Sequence, residues 1–417
     1  MNRSAILVTY PQEDSVKEAL ALADTMNYRI VETVTQRHLT KSKYGIGSGK
    51  AEELAAMVED LEPDVIIFDE VLKPTQTYNL ARLLQMEIID RERLILEIFE
   101  KRASSAESSI QVKLAQLRYE MARAREKVRL AKRGEQPGFY GLGRYEVDDY
   151  YSDIKRRIST LKQKLARVAK RRELYRHQRK KQGFPGVSLA GYTSAGKTTL
   201  LNTLVGESHD TGKGMFTTLA TYARALELRK GKVLISDTVG FISKLPAYMI
   251  EAFKSTLDEL TFSTLVLLVI DISEPLPEVV RKYESCVEIL NELHVPESKV
   301  LCVLNKIDLA SEEDAIARAA KLGLLEGRRY LTVSAKTGHN IDRLKELVSE
   351  IVFEIKAEEK AKKKVAEGVS AEAGYLEPKD VLMGLEESLN ESPAQTPGSR
   401  RHAIDSIGAV RDEDSGS

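Results

Sequence analysis

Apolar and polar positions recur with two different periods along the chain, and the changes of period mark its parts. Through about Phe99, short β-rich runs ("AILVTY", "RIVETVT", "DVIIFD") are separated by helical patterns, Asp14 to Met26, Ala51 to Leu61 and a segment opening at Pro74. Such alternation predicts a small α/β domain with a largely parallel sheet over residues 1–103. From about Ser104 the period changes. Ile110, Leu114, Leu117, Met121, Ala124 and Val128 recur at spacings of four and three, as do Ile154, Ile158, Leu161, Leu165 and Val168. Two such seams predict long helices packed as an antiparallel hairpin over residues 104–182, each roughly 30 Å or longer at 1.5 Å per residue. The stretch "GEQPGFYGLGRYEVDDYY" between them, with four Gly and one Pro, breaks both helices and forms the tip. Strand and helix alternate again over residues 183–356. The charged "KAEEKAKKK" either continues the last helix or dissolves, and the Ser/Glu/Gly/Pro-rich remainder of 357–417 is expected to be disordered, apart from a short helix from Lys379 to Leu389.

Charge adds a direction to this outline. Lys and Arg (63) balance Asp and Glu (63) overall, but between Lys101 and Gln182 there are 24 basic against 9 acidic residues. A one-sided block of this kind is either a footprint for nucleic acid or a solvated helix face. Two cysteines, Cys286 and Cys302, exclude a disulfide framework, and no His/Cys cluster suggests zinc. The opening apolar run is too short for a signal-peptide core, and "LVLLVI" after Thr264 is far below a membrane span. The expectation is a cytoplasmic monomer without membrane insertion.

The chemistry sits in the third part. "VSLAGYTSAGKTTLLNTL" places an apolar run, then Gly191, Tyr192, Thr193, Ser194, Ala195, Gly196, Lys197, Thr198 and Thr199, then a helical pattern. This is a phosphate-binding loop in its strand–loop–helix context. Its glycines let backbone N–H groups approach phosphates, Lys197 reaches the β- and γ-oxygens, and the Thr198 hydroxyl ligates Mg²⁺. The earlier "YGIGSGKAEEL" matches poorly, since the first loop glycine would fall on Tyr44 and Ala51 replaces the metal-binding hydroxyl. A glycine turn before a helix is the favoured reading there, and a secondary nucleotide contact the alternative.

"VLCVLNKIDL" gives Asn305, Lys306 and Asp308 behind a strand. Asp308 is placed to accept two hydrogen bonds from guanine N1–H and its exocyclic amine, a donor pair that adenine lacks. "LTVSAKTG" supplies Ser334, Ala335 and Lys336, where a backbone N–H meets guanine O6. Between loop and "DTVGFI", the segment "GKGMFTTLATYARALEL" is where a first switch belongs, with Phe216, Thr217 and Thr218 at its centre. Thr218 is the preferred second metal hydroxyl and Thr217 the near alternative. Asp237, Thr238, Val239 and Gly240 form the second switch: Asp237 holds Mg²⁺ through water and the Gly240 N–H meets the γ-phosphate. Phe241 stands where a glutamine orients the attacking water in Ras-like enzymes. No side-chain group there can polarise water, so the catalytic residue is unassigned; the ring either packs near the switch or gates it, packing being preferred.

The order "GYTSAGKTT", "FTTLAT", "DTVGFI", "NKID", "SAK" resembles the HflX GTPases, a family of the translation-factor-related class, and "GIGSGKAEEL", "FDEVLKPTQTYNL", "IIDRERLILEIFEKRA" and "QVKLAQLRYEMARA" look like that family's upstream signatures. The resemblance covers about Ala5 to Lys356. It implies an α/β chain with a P-loop GTPase domain, its mostly parallel sheet flanked by helices, behind the N-terminal domain and hairpin. It also implies a cytoplasmic, Mg²⁺-dependent GTP/GDP-binding factor that meets the large ribosomal subunit and its rRNA, in several members separating stalled or idle ribosomes. Two stretches depart from the family pattern. "GFYGLGRYEVD" replaces a "GPGE"-type tip, offering Phe139, Tyr140 or Tyr145 for stacking on bases. "TLATY" lacks the usual Asp-Pro of the first switch, which leaves the metal threonine open between the two candidates. The expected reaction is GTP hydrolysis, slow alone and stimulated by ribosomes. The rival reading is an RNA-binding module whose basic arm holds structured RNA, hydrolysis being incidental; a membrane-linked switch has no lipidation motif to support it.

Overall fold

The computed structural model describes residues 3–41, 43–132, 144–181, 184–206, 215–216, 223–325 and 329–373. Residues 134–143 of the expected hairpin tip, the threonines at 217 and 218 and the short helix at 379–389 lie outside them; residues 144–151, expected to belong to the tip, instead form the first turns of the second long helix.

The first sheet joins β1 (Ser4–Thr9), β2 (Arg29–Thr35), β3 (Val65–Phe68) and β4 (Ile88–Asp90) in the order β2-β1-β3-β4, all parallel. Every residue of β1 and β3 is buried, as continuous apolar runs in a parallel sheet require when helices cover both faces. Side chains alternate between two cores. Ala5, Leu7, Val65 and Ile67 join the cluster of α1 (Glu13–Thr25) and α4 (Arg91–Arg102), whereas Ile6, Val8, Ile66 and Phe68 join that of α2 (Ser48–Leu61) and α3 (Pro74–Leu84). In the "GIGSGK" stretch, Gly45 takes a left-handed turn (φ 76°) and a Cβ there would lie 2.9 Å from Leu72 Cδ2.

Two long helices follow, α5 (Ala106–Lys132) and α6 (Arg144–Lys181), packed on each other. Leu114, Leu117, Ala124, Ile154 and Ile158 of the seams are buried between them and their neighbours. The root of α5 is pinned by polar contacts. Gln111 and Thr256 are hydrogen-bonded at 2.9 Å in a buried site, Arg118 makes a two-pronged pair with Glu251 at 2.8 and 2.5 Å, and Arg123 pairs with Asp90.

The second sheet has six strands in the order β10-β9-β8-β5-β7-β6. They are β5 (Gly186–Gly191), β6 (Ala223–Leu228), β7 (Gly231–Ser236), β8 (Leu265–Asp271), β9 (Val300–Asn305) and β10 (Tyr330–Thr332), with only edge strand β6 antiparallel. Helices α7 (Lys197–Val205), α8 (Ala247–Ala252), α9 (Lys254–Phe262), α10 (Leu276–Glu292) and α11 (Glu312–Lys321) connect the strands, and α12 (Ile341–Ala373) carries the charged segment on as helix. No helix among the described residues is long and apolar enough to cross a membrane.

The two sheets' helices share an apolar joint. The Phe99 ring of α4 meets Phe216 and Phe253 edge-on, both at 4.8 Å between centroids, and the Met215 N–H donates to Thr25 Oγ1 at 2.9 Å. Phe216, a first-switch residue by sequence, is thus buried against the N-terminal unit. Phe99→Ala removes a fully buried ring from this joint and is expected to cost on the order of 3–5 kcal/mol, read as a lower urea midpoint for the first unfolding transition.

Candidate functional site

At the carboxyl end of β5 the backbone dictates the residues. Gly191 has φ 145° and a Cβ there would lie 2.2 Å from the Val269 carbonyl oxygen; Gly196, φ 92°, would drive one to 2.4 Å from Asn305 Nδ2. Only glycine fits either place. Between them the chain turns, with Ser194 exposed at φ 64°, and α7 begins at Lys197, presenting N–H groups that lack an acceptor within the helix and the positive end of its dipole to the loop. Lys197 is buried, and its ammonium donates to the Gly191 and Tyr192 carbonyls at 3.0 and 2.8 Å. Burial pulls its pKa below the usual lysine value against the opposing charge of Asp237. Thr199 follows on the same helix, half-buried, its carbonyl accepting from Thr203.

Thr198 Oγ1 donates to Asp237 Oδ2 at 2.8 Å, so the hydroxyl and carboxylate named for the metal meet at one point. Two hard oxygen donors beside a phosphate loop suit Mg²⁺, whose remaining positions are normally taken by water and phosphate. Among the described residues, no group of three or more His, Cys, Asp or Glu side chains gathers elsewhere to hold a metal.

The second switch lies against the loop. Thr238 donates to the Leu189 carbonyl at 2.6 Å, and Val239 is buried. A Cβ on Gly240 would lie 2.9 Å from Thr193 Cγ2 and 3.1 Å from Lys197 Nζ, so this peptide is wedged between the loop and its lysine. Phe241 donates its N–H to the Gly191 carbonyl at 3.0 Å and accepts from the Thr193 N–H at 2.8 Å. Its ring is 2% exposed, in the apolar cluster that includes Ile242 and Phe253.

The base-reading residues converge behind the loop. Asn305 Nδ2 donates to the Ala195 carbonyl at 2.9 Å and its Oδ1 accepts from the Ala335 N–H at 3.0 Å, which ties β9, the loop and the chain after β10 together. Ser334 Oγ donates to Asp308 Oδ1 at 2.6 Å, orienting a carboxylate that is itself exposed. Lys306, at φ 68°, pairs with Asp271, and Lys336 is exposed at the rim. The structure therefore gathers every sequence-assigned residue at one end of the sheet except Phe216, which sits in the apolar joint, and Thr217 and Thr218, which lie outside the described residues.

Sequence reasoning missed a polar junction on the far side of the loop. The Tyr192 hydroxyl donates to Glu18 of α1 at 2.5 Å and accepts from the Ser243 N–H at 2.7 Å. Arg91, 4% exposed, pairs with both Glu18 and Asp69, and donates to the Ser243 carbonyl at 3.2 Å. Arg281 of α10 reaches Ser243 Oγ and Glu18. Burial pushes the Glu18 carboxyl up, but Arg91 and the Tyr192 hydroxyl outweigh it and hold it below the usual range. Burial raises Asp69 despite Arg91, and it raises the Tyr192 hydroxyl, with Glu18 adding to the shift. Glu18 of α1, Asp69 just after β3, Arg91 of α4, Tyr192 of the loop, Ser243 beyond the second switch and Arg281 of α10 thus share one network.

Comparison with known proteins finds relatives over most of the chain. Residues 13–100 match a family described as GTP-binding GTPase N-terminal, 102–179 GTP-binding GTPase Middle Region, and 186–306 50S ribosome-binding GTPase. The chain is similar to GTPase HflX of Methanocaldococcus jannaschii, 44% identical over 340 residues that cover 81% of this chain and 82% of the relative. It is 42% identical to GTPase HflX of Thermococcus kodakarensis over 78% of this chain and 74% of that one. Among solved structures, SsGBP in complex with GDP aligns over 85% of this chain and 99% of its own at 26% identity and a TM-score of 0.50.

Arg91→Met leaves Glu18 and Asp69 buried without their shared cation. The expected loss is about 3–5 kcal/mol, seen as a large fall in melting temperature; an unchanged melting temperature would mean that the junction carries no stability.

Proposed function

The chain belongs to the HflX family of GTPases, which hydrolyse GTP, and from that membership we propose a specific division of labour within it. Residues 1–103, 104–182 and 183–356 act as N-terminal α/β domain, basic arm and nucleotide-hydrolysing domain, followed by a tail over 357–417. The loop from Gly191 to Thr199 cradles the phosphates, and Lys197 leaves the Gly191 and Tyr192 carbonyls to bind β- and γ-oxygens. Thr198 holds Mg²⁺ directly and Asp237 through water, with a first-switch threonine, Thr218 or Thr217, as the third group. Mg²⁺ supplies neutralisation of charge on the phosphate oxygens. The Gly240 N–H reads the γ-phosphate. Asn305 braces the loop, while Asp308, Lys306, Ser334, Ala335 and Lys336 select guanine. The observation that carries this reading is the convergence of the "GYTSAGKTT", "DTVG", "NKID" and "SAK" stretches at one end of one sheet, joined by the hydrogen bonds of Asn305, Thr198 and Phe241.

The working partner in this reading is the large ribosomal subunit, met through rRNA by the basic arm, in the cytoplasm. Stalled or idle ribosomes are the substrates to be separated. Nucleotide state sets the affinity, and the Tyr192–Ser243–Glu18–Arg91 junction is the route from switch to N-terminal domain. Support comes from the charge of the arm, 24 basic against 9 acidic residues between Lys101 and Gln182, and from its root resting on α8, directly after the second switch.

Co-sedimentation with 70S-type particles and separated subunits, each with GDP or a non-hydrolysable GTP analogue, tests the partner. The large subunit is expected to retain the protein in the GTP-analogue state. Salt-sensitive binding to isolated RNA, indifferent to nucleotide, would favour a plain RNA-binding module instead. Asp308→Asn is expected to erode the preference for GTP over other purine nucleotides by at least about tenfold, roughly the 1.5–3 kcal/mol carried by a hydrogen bond to a charged group, in a competition assay. Undiminished discrimination would remove Asp308 from base recognition.

A further inference from the structure

Phe241 leaves the second switch without a group to orient water, so the hydroxyls around it become the place to look. Thr198 donates to Asp237, Thr238 to the Leu189 carbonyl, and the Ser243 hydroxyl is engaged by Tyr192 and Arg281. Thr193 differs from all of these. It is 5% exposed, and its Oγ1 has no hydrogen-bond partner among the described residues. An unsatisfied buried hydroxyl costs about 1–3 kcal/mol, and one inside a phosphate loop calls for a partner that arrives with the substrate.

Its placement fits that demand. Thr193 is the third residue of the loop, held by its N–H to the Phe241 carbonyl at 2.8 Å. Its Cγ2 and Cα lie 2.9 and 3.1 Å from the position of a Gly240 Cβ, with Lys197 Nζ 3.1 Å from the same point. Threonine and lysine therefore flank the one peptide whose N–H the preceding reading aims at the γ-phosphate. We propose that the Thr193 hydroxyl orients the attacking water, the task that a glutamine at position 241 would otherwise perform. This rests on the nucleotide site assigned above. The hydroxyl accepts a hydrogen bond from the water and donates its own hydrogen to a γ-phosphate oxygen. The water oxygen bonds to the γ-phosphorus as the bond from that phosphorus to the β–γ bridging oxygen breaks, its electron pair leaving with GDP. The water proton ends on the released phosphate, and Thr193 is unchanged.

The test compares Thr193→Val, which keeps the shape and removes the hydroxyl, with Thr193→Ser, which keeps the hydroxyl. Single-turnover GTP hydrolysis, GDP affinity and thermal melting are measured on the full chain, with Lys197→Ala in parallel. The valine variant is expected to lose about 10²-fold in rate at saturating GTP, the scale of removing one positioned donor, with GDP affinity within about twofold; the serine variant retains most of the rate. Parental turnover in the valine variant, an equal fall in valine and serine variants, or a GDP affinity that falls in step with the rate would each overturn the inference. If valine prevents folding, Thr193→Ala against Thr193→Ser gives the same contrast. Retained nucleotide affinity in Lys197→Ala would instead overturn the site itself, which separates the two failures.

Discussion

Two backbone hydrogen bonds govern the arrangement of this molecule: Phe241 N–H to the Gly191 carbonyl, and Thr193 N–H to the Phe241 carbonyl. The parallel ladder of β5 and β7 ends at the pair Ser188 and Ser236, and the chains rejoin at Tyr192 and Phe241. Between those points residues 189–191 on the loop side face residues 237–240 on the switch side, so the switch carries one residue more and bows outward. Thr238 satisfies the Leu189 carbonyl that the ladder abandons, Asp237 is set beside Thr198, and Gly240 is wedged against Thr193 and Lys197. A side chain at Gly191, Gly196 or Gly240 would strike neighbours too close to accommodate it. The chemistry of the site follows from where this pairing stops and starts again.

The second anchor lies two residues further on. Ser243 is fastened by backbone and hydroxyl to Tyr192, Arg91 and Arg281, and through them to Glu18 and Asp69 of the N-terminal unit. Charges this deeply buried are tolerated only because each finds a partner, and removal of one leaves the others uncompensated. Both ends of the switch are therefore tied, one to the phosphate loop and the other to a separate sheet's helices. With Met215 bonded to Thr25 and Phe216 packed on Phe99, the start of the first switch is held from the same side.

What was legible in the sequence divides along physical lines. Glycines that must take left-handed conformations, or admit a close backbone, leave a fixed signature, so the loop and its place after an apolar strand could be read directly. The continuous apolar runs of β1, β3 and β8 and the four-and-three spacing of α5 and α6 were equally plain, because burial dictates them. The junction was not. Glu18 and Arg281 lie on amphipathic helices where a charged residue ordinarily faces water, and their partners are far away in the chain. Tyr192 and Thr193 occupy positions that the loop signature leaves unspecified. Phe241 could be read as the loss of a polar side chain, but the role of its backbone is visible only once the loop is beside it.

If loop, switch and N-terminal unit respond to nucleotide together, amide hydrogen exchange will show it most directly. Replacing GDP by a non-hydrolysable GTP analogue is predicted to alter exchange in residues 241–245 and in α1 (Glu13–Thr25) in the same titration, at the same nucleotide concentration. A change confined to the switch, with α1 exchanging identically in both states, would contradict the account.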